Sequence, residues 1–142
     1  MTTKEYLRQV ERLNLIIEDK MTEIESLRGI ASRLSGNTET ERVQTSLTKD
    51  KIGDIVSKIV DKEEELKVVM GEHIETKSII IKQIEGITNN TFYKILTKKY
   101  IRFQSLTQIA DDMGYSKRQI DRLHGKALLD FESLYGAKYL KL

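Results

Sequence analysis

The sequence predicts an all-α protein: a long antiparallel coiled-coil hairpin followed by a small helix-turn-helix domain. Three observations carry that prediction. The 142 residues contain no proline and only eight glycines, so few positions would break or kink a helix. Two long stretches repeat apolar residues every three or four positions, the spacing of a helical seam. A third run, LTQIADDMGYSKRQIDRLHGKALL at 106–129, sets two short amphipathic patterns on either side of a glycine, as two helices crossing at a tight turn require.

The first element is a helix with Tyr6, Val10, Leu13, Ile17, Ile24, Leu27, Ala31 and Leu34 on one stripe, interrupted at Lys20. A lone helix cannot hide such a stripe, so it needs a partner. Residues 35–48 are polar and read as a linker. Asp50 is a candidate cap for a second helix starting near Lys51 and carrying Ile52, Val56, Ile59, Leu66 and Met70, then Ile74, Ile80 or Ile81, Ile84 and Ile87. Run to Gly86, it would be roughly 50 Å long. Folding back against the first helix closes the hairpin and leaves apolar surface for another subunit. Val10, Leu13, Ile17, Ile24, Leu27, Ile52, Val56, Ile59 and Leu66 are therefore assigned to oligomerisation, as a dimer or larger homo-oligomer. His73 falls near the seam as a polar seam residue. The acidic run from Asp61 to Glu65 reads as a solvated face with local i,i+4 pairing.

Asn89 and Asn90 mark the break between residues 1–88, the hairpin and oligomerisation region, and residues 89–142, the helix-turn-helix domain with its C-terminal helical extension. A helix with Phe92, Ile95, Leu96 and Tyr100 supplies the apolar cover that a bare two-helix motif lacks. Ser105 with Gln108 and Ser116 with Gln119 are capping-box signatures for the two helices that follow. Gly114 suits the left-handed position ending the first of them. Ile109, Ala110, Met113, Gly114, Tyr115, Ile120 and Leu123 form the expected core of the pair. The second helix then shows Ser116, Lys117, Arg118, Gln119, Arg122 and Lys126 to solvent, a set suited to double-stranded DNA. Arg118 and Gln119 sit near the helix start, where base edges are read, while Lys117, Arg122 and Lys126 suit phosphates. Lys94, Lys98, Lys99, Arg102 and His124 are further candidate phosphate contacts. The tail extends the helix through Leu128, Phe131, Leu134 and Tyr135 to Gly136.

Charge agrees with this division. Residues 1–90 hold 14 Lys or Arg against 17 Asp or Glu, a net of −3, and residues 91–142 hold 10 against 5, a net of +5. The basic half is the one expected to face a polyanion. There are no cysteines and two histidines, with no metal-ligand spacing, nucleophile–base set, phosphate loop or cofactor motif. Neither an enzyme nor a bound metal or cofactor is expected. No apolar run is long enough to span a bilayer and the opening MTTKEYLRQVERL is charged, so neither a membrane nor a secretion signal is expected. The expected place of action is then the cytoplasm.

The segments MTTKEYLRQVERLNLIIEDKMTEIESLR, DKIGDIVSKIVDKEEEL and TQIADDMGYSKRQIDRLHGKALLDFE, in that order, resemble a family of small proteins encoded by phages and prophages of Gram-positive bacteria. That family is related to the ArpU/RinA-like late-gene transcriptional regulators, with a DNA-binding end like the fourth region of sigma factors. The resemblance implies a sequence-specific regulator, a late-gene activator of a phage or prophage operon, with Ser116, Lys117, Arg118, Gln119, Arg122 and His124 on the recognition helix and host RNA polymerase as a candidate partner. Phe92 to Gln104 departs from the pattern, since related sequences have a more acidic lead-in there. A small-terminase-like packaging adaptor and a helical protein-interaction module without DNA binding are the alternatives.

Overall fold

The computed structural model describes residues 1–36 and 46–140, and every regular element among them is helical. Two long helices come first, α1 (Thr3–Gly36) and α2 (Ser46–Glu85). Three shorter ones follow: α3 (Asn90–Leu96), α4 (Leu106–Met113) and α5 (Lys117–Tyr135). A π-helical turn, Thr97–Ile101, extends α3, and a 3₁₀ turn, Gly136–Lys138, closes α5. The expected linker at 35–48 lies mostly outside the described residues. α2 begins five residues before Lys51, so Asp50 lies inside the helix and does not cap it.

The chain divides into two compact units, Asn14–Glu72 and the pair of segments Met1–Leu13 with His73–Leu142. In the first of these, α1 meets α2 along a line of half-buried side chains. On α2 these are Ile52, Ile55, Ile59, Lys62, Leu66 and Val69, alternating in steps of three and four. Ile24 is the one fully buried apolar side chain among this unit's described residues. Ion pairs flank the line: Lys20 to Glu65 at 2.9 Å, Lys62 to Glu23 at 3.4 Å, and Arg28 to Glu63. As the α1 partner advances from Lys20 to Glu23, the α2 partner retreats from Glu65 to Lys62, so the two helices run in opposite directions here. The Lys20 ammonium, by its hydrogen bond and its charge, holds the Glu65 carboxyl below its ordinary pKa.

This register corrects the expected seam. Val56 was assigned to it but is 47% exposed, and Met70 and Ile74 likewise point out; Ile55 and Val69 take the inward places. A helix with apolar residues at both i+3 and i+4 offers two stripes, and the partner helix selects one. Val10 also changes role. It is fully buried in the core of the second unit, so it is unavailable to another subunit.

That second unit holds a closed core. Leu7 and Val10 from α1 meet Ile80, Ile84 and Ile87, Leu96, Tyr100, Ala127, Phe131 and Tyr139. Tyr6 stacks on Tyr139 with ring centroids 4.2 Å apart, and its hydroxyl donates to Gln83 Oε1 at 2.6 Å. Thr3 donates to the Glu132 carboxylate at 3.0 Å. Its single proton is thereby used, so Tyr139 Oη donates to Thr3 Oγ1 across 2.9 Å. Gly86 leaves room for the Tyr135 hydroxyl, which a Cβ at that position would displace. Ile95, Ile109, Ala110 and Ile120 form a second, smaller cluster, covered by Leu106, Met113, Tyr115 and Leu123. Among the described residues no helix is long and apolar enough to cross a membrane.

Candidate nucleic-acid interface

Local chemistry sets the angle between α4 and α5. The Ser105 hydroxyl accepts from the Gln108 amide at 3.1 Å, and Gln108 Oε1 accepts from the Ser105 N–H at 2.9 Å. Ser116 and Gln119 repeat that reciprocal pair at 3.2 and 2.9 Å. Between them Gly114 adopts φ 73°, ψ 25°, a left-handed conformation that costs a residue without Cβ little. The Tyr115 N–H reaches back to the Ala110 carbonyl at 2.9 Å, while the Gly114 N–H bonds to Asp111. That pairing satisfies carbonyls at the end of α4 that would otherwise lack partners. The chain is thus stopped, turned and restarted within three residues.

The spacing along α5 then separates two faces. Ile120, His124, Ala127 and Phe131 recur in steps of four, three and four and are buried. Ser116, Lys117, Arg118, Gln119, Arg122 and Lys126 are exposed. Ser116, Arg118, Gln119 and Arg122 line an open concavity of about 510 Å³ at the start of the helix. Lys117 bonds to Asp121 one turn along at 2.7 Å, an exposed i,i+4 pair. Arg118, Gln119, Arg122 and Lys126 present their donors outward from one short helix.

The remaining basic candidates do not share one environment. Lys94 and Arg102 are exposed and Lys99 is half-buried. Lys98 is 3.7 Å from Asp112 of α4, so part of its charge ties the π-helical turn to α4. His124 is a correction to the expected phosphate contacts. It is 6% exposed and shares a 2.7 Å hydrogen bond, through Nε2, with the hydroxyl of Tyr100. Four residues from Ile120 and three from Ala127, it can only face inward. Burial, helped by the Lys4 and Lys99 charges, lowers its pKa to about 4, and burial raises the Tyr100 hydroxyl to about 12. Both groups are therefore neutral near pH 7. Nothing in the sequence near His124 announces this, because its partner lies 24 residues away in the π-helical turn.

Those same charges reveal cations that sequence reasoning missed. Lys4 and Arg8 of α1 lie close enough to His124 to influence it, as does Lys99. Both are exposed, one on each side of buried Leu7. Lys4 and Arg8 are one helical turn apart, a spacing that was legible but had no apparent connection to residues 116–126. No group of three or more potential metal-ligating side chains occurs among the described residues.

Residues 33–132 match the family described as "Protein of unknown function (DUF1492)". The chain belongs to this family. The matched region takes in α2 to α4 and most of α5, including both capping boxes and the exposed basic residues of α5. No curated protein and no solved structure matches the chain.

Proposed function

We propose that this member of the DUF1492 family binds double-stranded DNA. In this reading α4 and α5 act as a helix-turn-helix, α5 enters the major groove, and the α1–α2 pair serves as an antiparallel coiled-coil hairpin. Arg118 and the Nε2 donors of Gln119, whose Oε1 stays on the Ser116 N–H, read base edges; Arg122 and Lys126 hold phosphates, joined by Lys117 where Asp121 releases it. The observation that supports it most is the division of α5 into a buried stripe and an exposed face of Arg118, Gln119, Arg122 and Lys126. The resemblance to phage late-gene regulators supports control of a phage or prophage operon as the biological role, with RNA polymerase as a candidate partner.

The test is a duplex titration across salt concentrations, after selecting a preferred site from randomised duplexes. Each phosphate contact contributes nearly one unit to the slope of log affinity against log salt. Arg118→Ala should lose about ten- to hundredfold for the selected site and leave scrambled duplex binding nearly intact. Lys126→Ala should weaken both and flatten the slope. A wild-type protein with no salt-dependent duplex affinity overturns the proposal.

One observation favours a second reading, a helical interaction module without DNA binding. Leu129 and Leu134 on α5 are 66% and 53% exposed. Apolar side chains so placed suit a protein partner better than a polyanion.

A further inference from the structure

We propose that the outer face of α2 is a self-association surface, on which a second copy of the chain lays its own α2 antiparallel about a two-fold axis at the level of Glu65. The proposal is independent of DNA binding.

The face lies beside the line that meets α1. At 100° per residue, Val56, Val60, Glu63, Lys67, Met70 and Ile74 fall within an arc of about 80°. The four apolar members are 47%, 53%, 43% and 66% exposed, and the lysine and glutamate side chains 76% and 41%. Isolated exposed apolar residues are ordinary on a protein surface. A stripe of them over five turns, interrupted once by a glutamate and a lysine, is not. Glu63 also borders a groove of about 560 Å³ between α1 and α2, whose lining includes Met21 and Leu66.

Self-complementarity identifies the occupant. When the stripe is paired with its own antiparallel copy, Val60 meets Met70, Val56 meets Ile74, and Glu63 meets Lys67, each pair occurring twice by symmetry. Every apolar side chain finds an apolar one and each charge its opposite. A parallel pairing would instead place Glu63 on Glu63 and Lys67 on Lys67, which like-charge repulsion opposes. An interface whose members answer one another about a single axis is the isologous kind that closes a dimer. Glu63 already pairs with Arg28 of its own chain, so Lys67 of the second copy extends an existing ion pair.

Sedimentation equilibrium of the full chain should show a dimer. Lys67→Glu and Glu63→Lys should each weaken association by at least about tenfold, since each sets two like-charged pairs across the axis. An equimolar mixture of the two variants should associate as the wild type does, because the opposite charges then face each other again. Cross-linking reads the register directly in a chain without cysteines. V60C mixed with M70C should form an intermolecular disulfide, whereas either variant alone should not, its two thiols lying about 15 Å apart along the axis. Circular dichroism confirms that each variant keeps its helices, and the cysteine pair tests the face even if Glu63→Lys does not fold. A monomeric wild type, charge variants that associate as the wild type does, or a V60C disulfide formed without M70C would overturn the proposal.

Discussion

The unit Asn14–Glu72 and the unit formed by Met1–Leu13 with His73–Leu142 use the same two long helices in different ways. In the second unit, segments of α1 and α2 are covered by α3, the π-helical turn and α5, and Leu7, Val10, Ile80 and Phe131 are wholly buried. In the first, the described residues are two helices packed against each other. Its line of contact is half-buried, Ile24 is its one fully buried apolar side chain among the described residues, and charged pairs flank it. Two helices can hide one stripe apiece, so apolar residues beyond that stripe stay outside. The closed unit is where side chains can be positioned against a stable core, and it is there that α5 carries its basic face. The open unit has surface left for a partner.

The largest expected effect is therefore in the closed core. Phe131 is fully buried and its ring lies 5.0 to 6.2 Å from those of Tyr135, Tyr6 and Tyr139. Phe131→Ala should cost about 3–5 kcal/mol, against about 1–2 kcal/mol for Leu66→Ala in the half-buried line. Urea unfolding followed by circular dichroism measures both. Equal losses would mean that the two units are packed alike.

The next effect, on the order of 3 kcal/mol, is expected from pH. His124 titrates near its ordinary value of 6.5 when unfolded and at about 4 when folded. Between those values the unfolded chain binds the extra proton, so stability rises with pH. The contribution is complete above about 6.5 and is lost as the pH falls toward 4. The groups around the imidazole are Tyr100, Lys4, Lys99 and Arg8, with Asp121 the acidic one acting against them. His124→Gln keeps a polar partner for Tyr100 without titrating. Its stability should lack this pH dependence; if the slope in that window is unchanged, His124 does not carry it.

The legibility of the sequence also differs between the two regions. A proline-free chain with seam spacing made its helical character plain. Both capping boxes could be read locally, because Ser-x-x-Gln places donor and acceptor three residues apart on a helix's first turn. Ile52, Ile59 and Leu66 could be placed on the inner line, but Val56 and Met70 could not be told from Ile55 and Val69 before the partner's face was known. Leu7 was hidden by its neighbour Tyr6, which offered an equally good start to the stripe. His124 was misplaced because its surroundings in sequence are basic and polar, while the atom that pairs with it comes from the irregular turn after α3. What the chain determines within four residues was readable; what distant elements select was not.

The register of the inner line predicts a finer difference. Val69 is half-buried, whereas Met70 is 43% exposed. Val69→Ala should cost about 1 kcal/mol of stability from lost burial. Met70→Ala should change the stability of the monomer by less than about 0.5 kcal/mol. The comparison is made at dilution, where self-association does not contribute. Reversed magnitudes would return Met70 to the line and remove Val69 from it.

The smallest expected effect concerns the ion pairs on the flank of the open unit. Glu65 is bonded to Lys20 and lies 3.5 Å from Lys62, and both charges hold its carboxyl below the ordinary range. A lowered carboxylate pKa stabilises the folded state above the ordinary value, and that stabilisation is lost as the pH falls through the lowered one. The side chain is open to solvent, so screening leaves little of the attraction. Glu65→Gln should therefore lower stability slightly at neutral pH, and the difference from wild type should shrink when salt is raised or when the pH falls below the carboxylate range. Side-by-side urea titrations at low and high salt measure it. A loss as large as that of Leu66→Ala, persisting in high salt, would mean that the open unit is held by its charged flank and not by its apolar line.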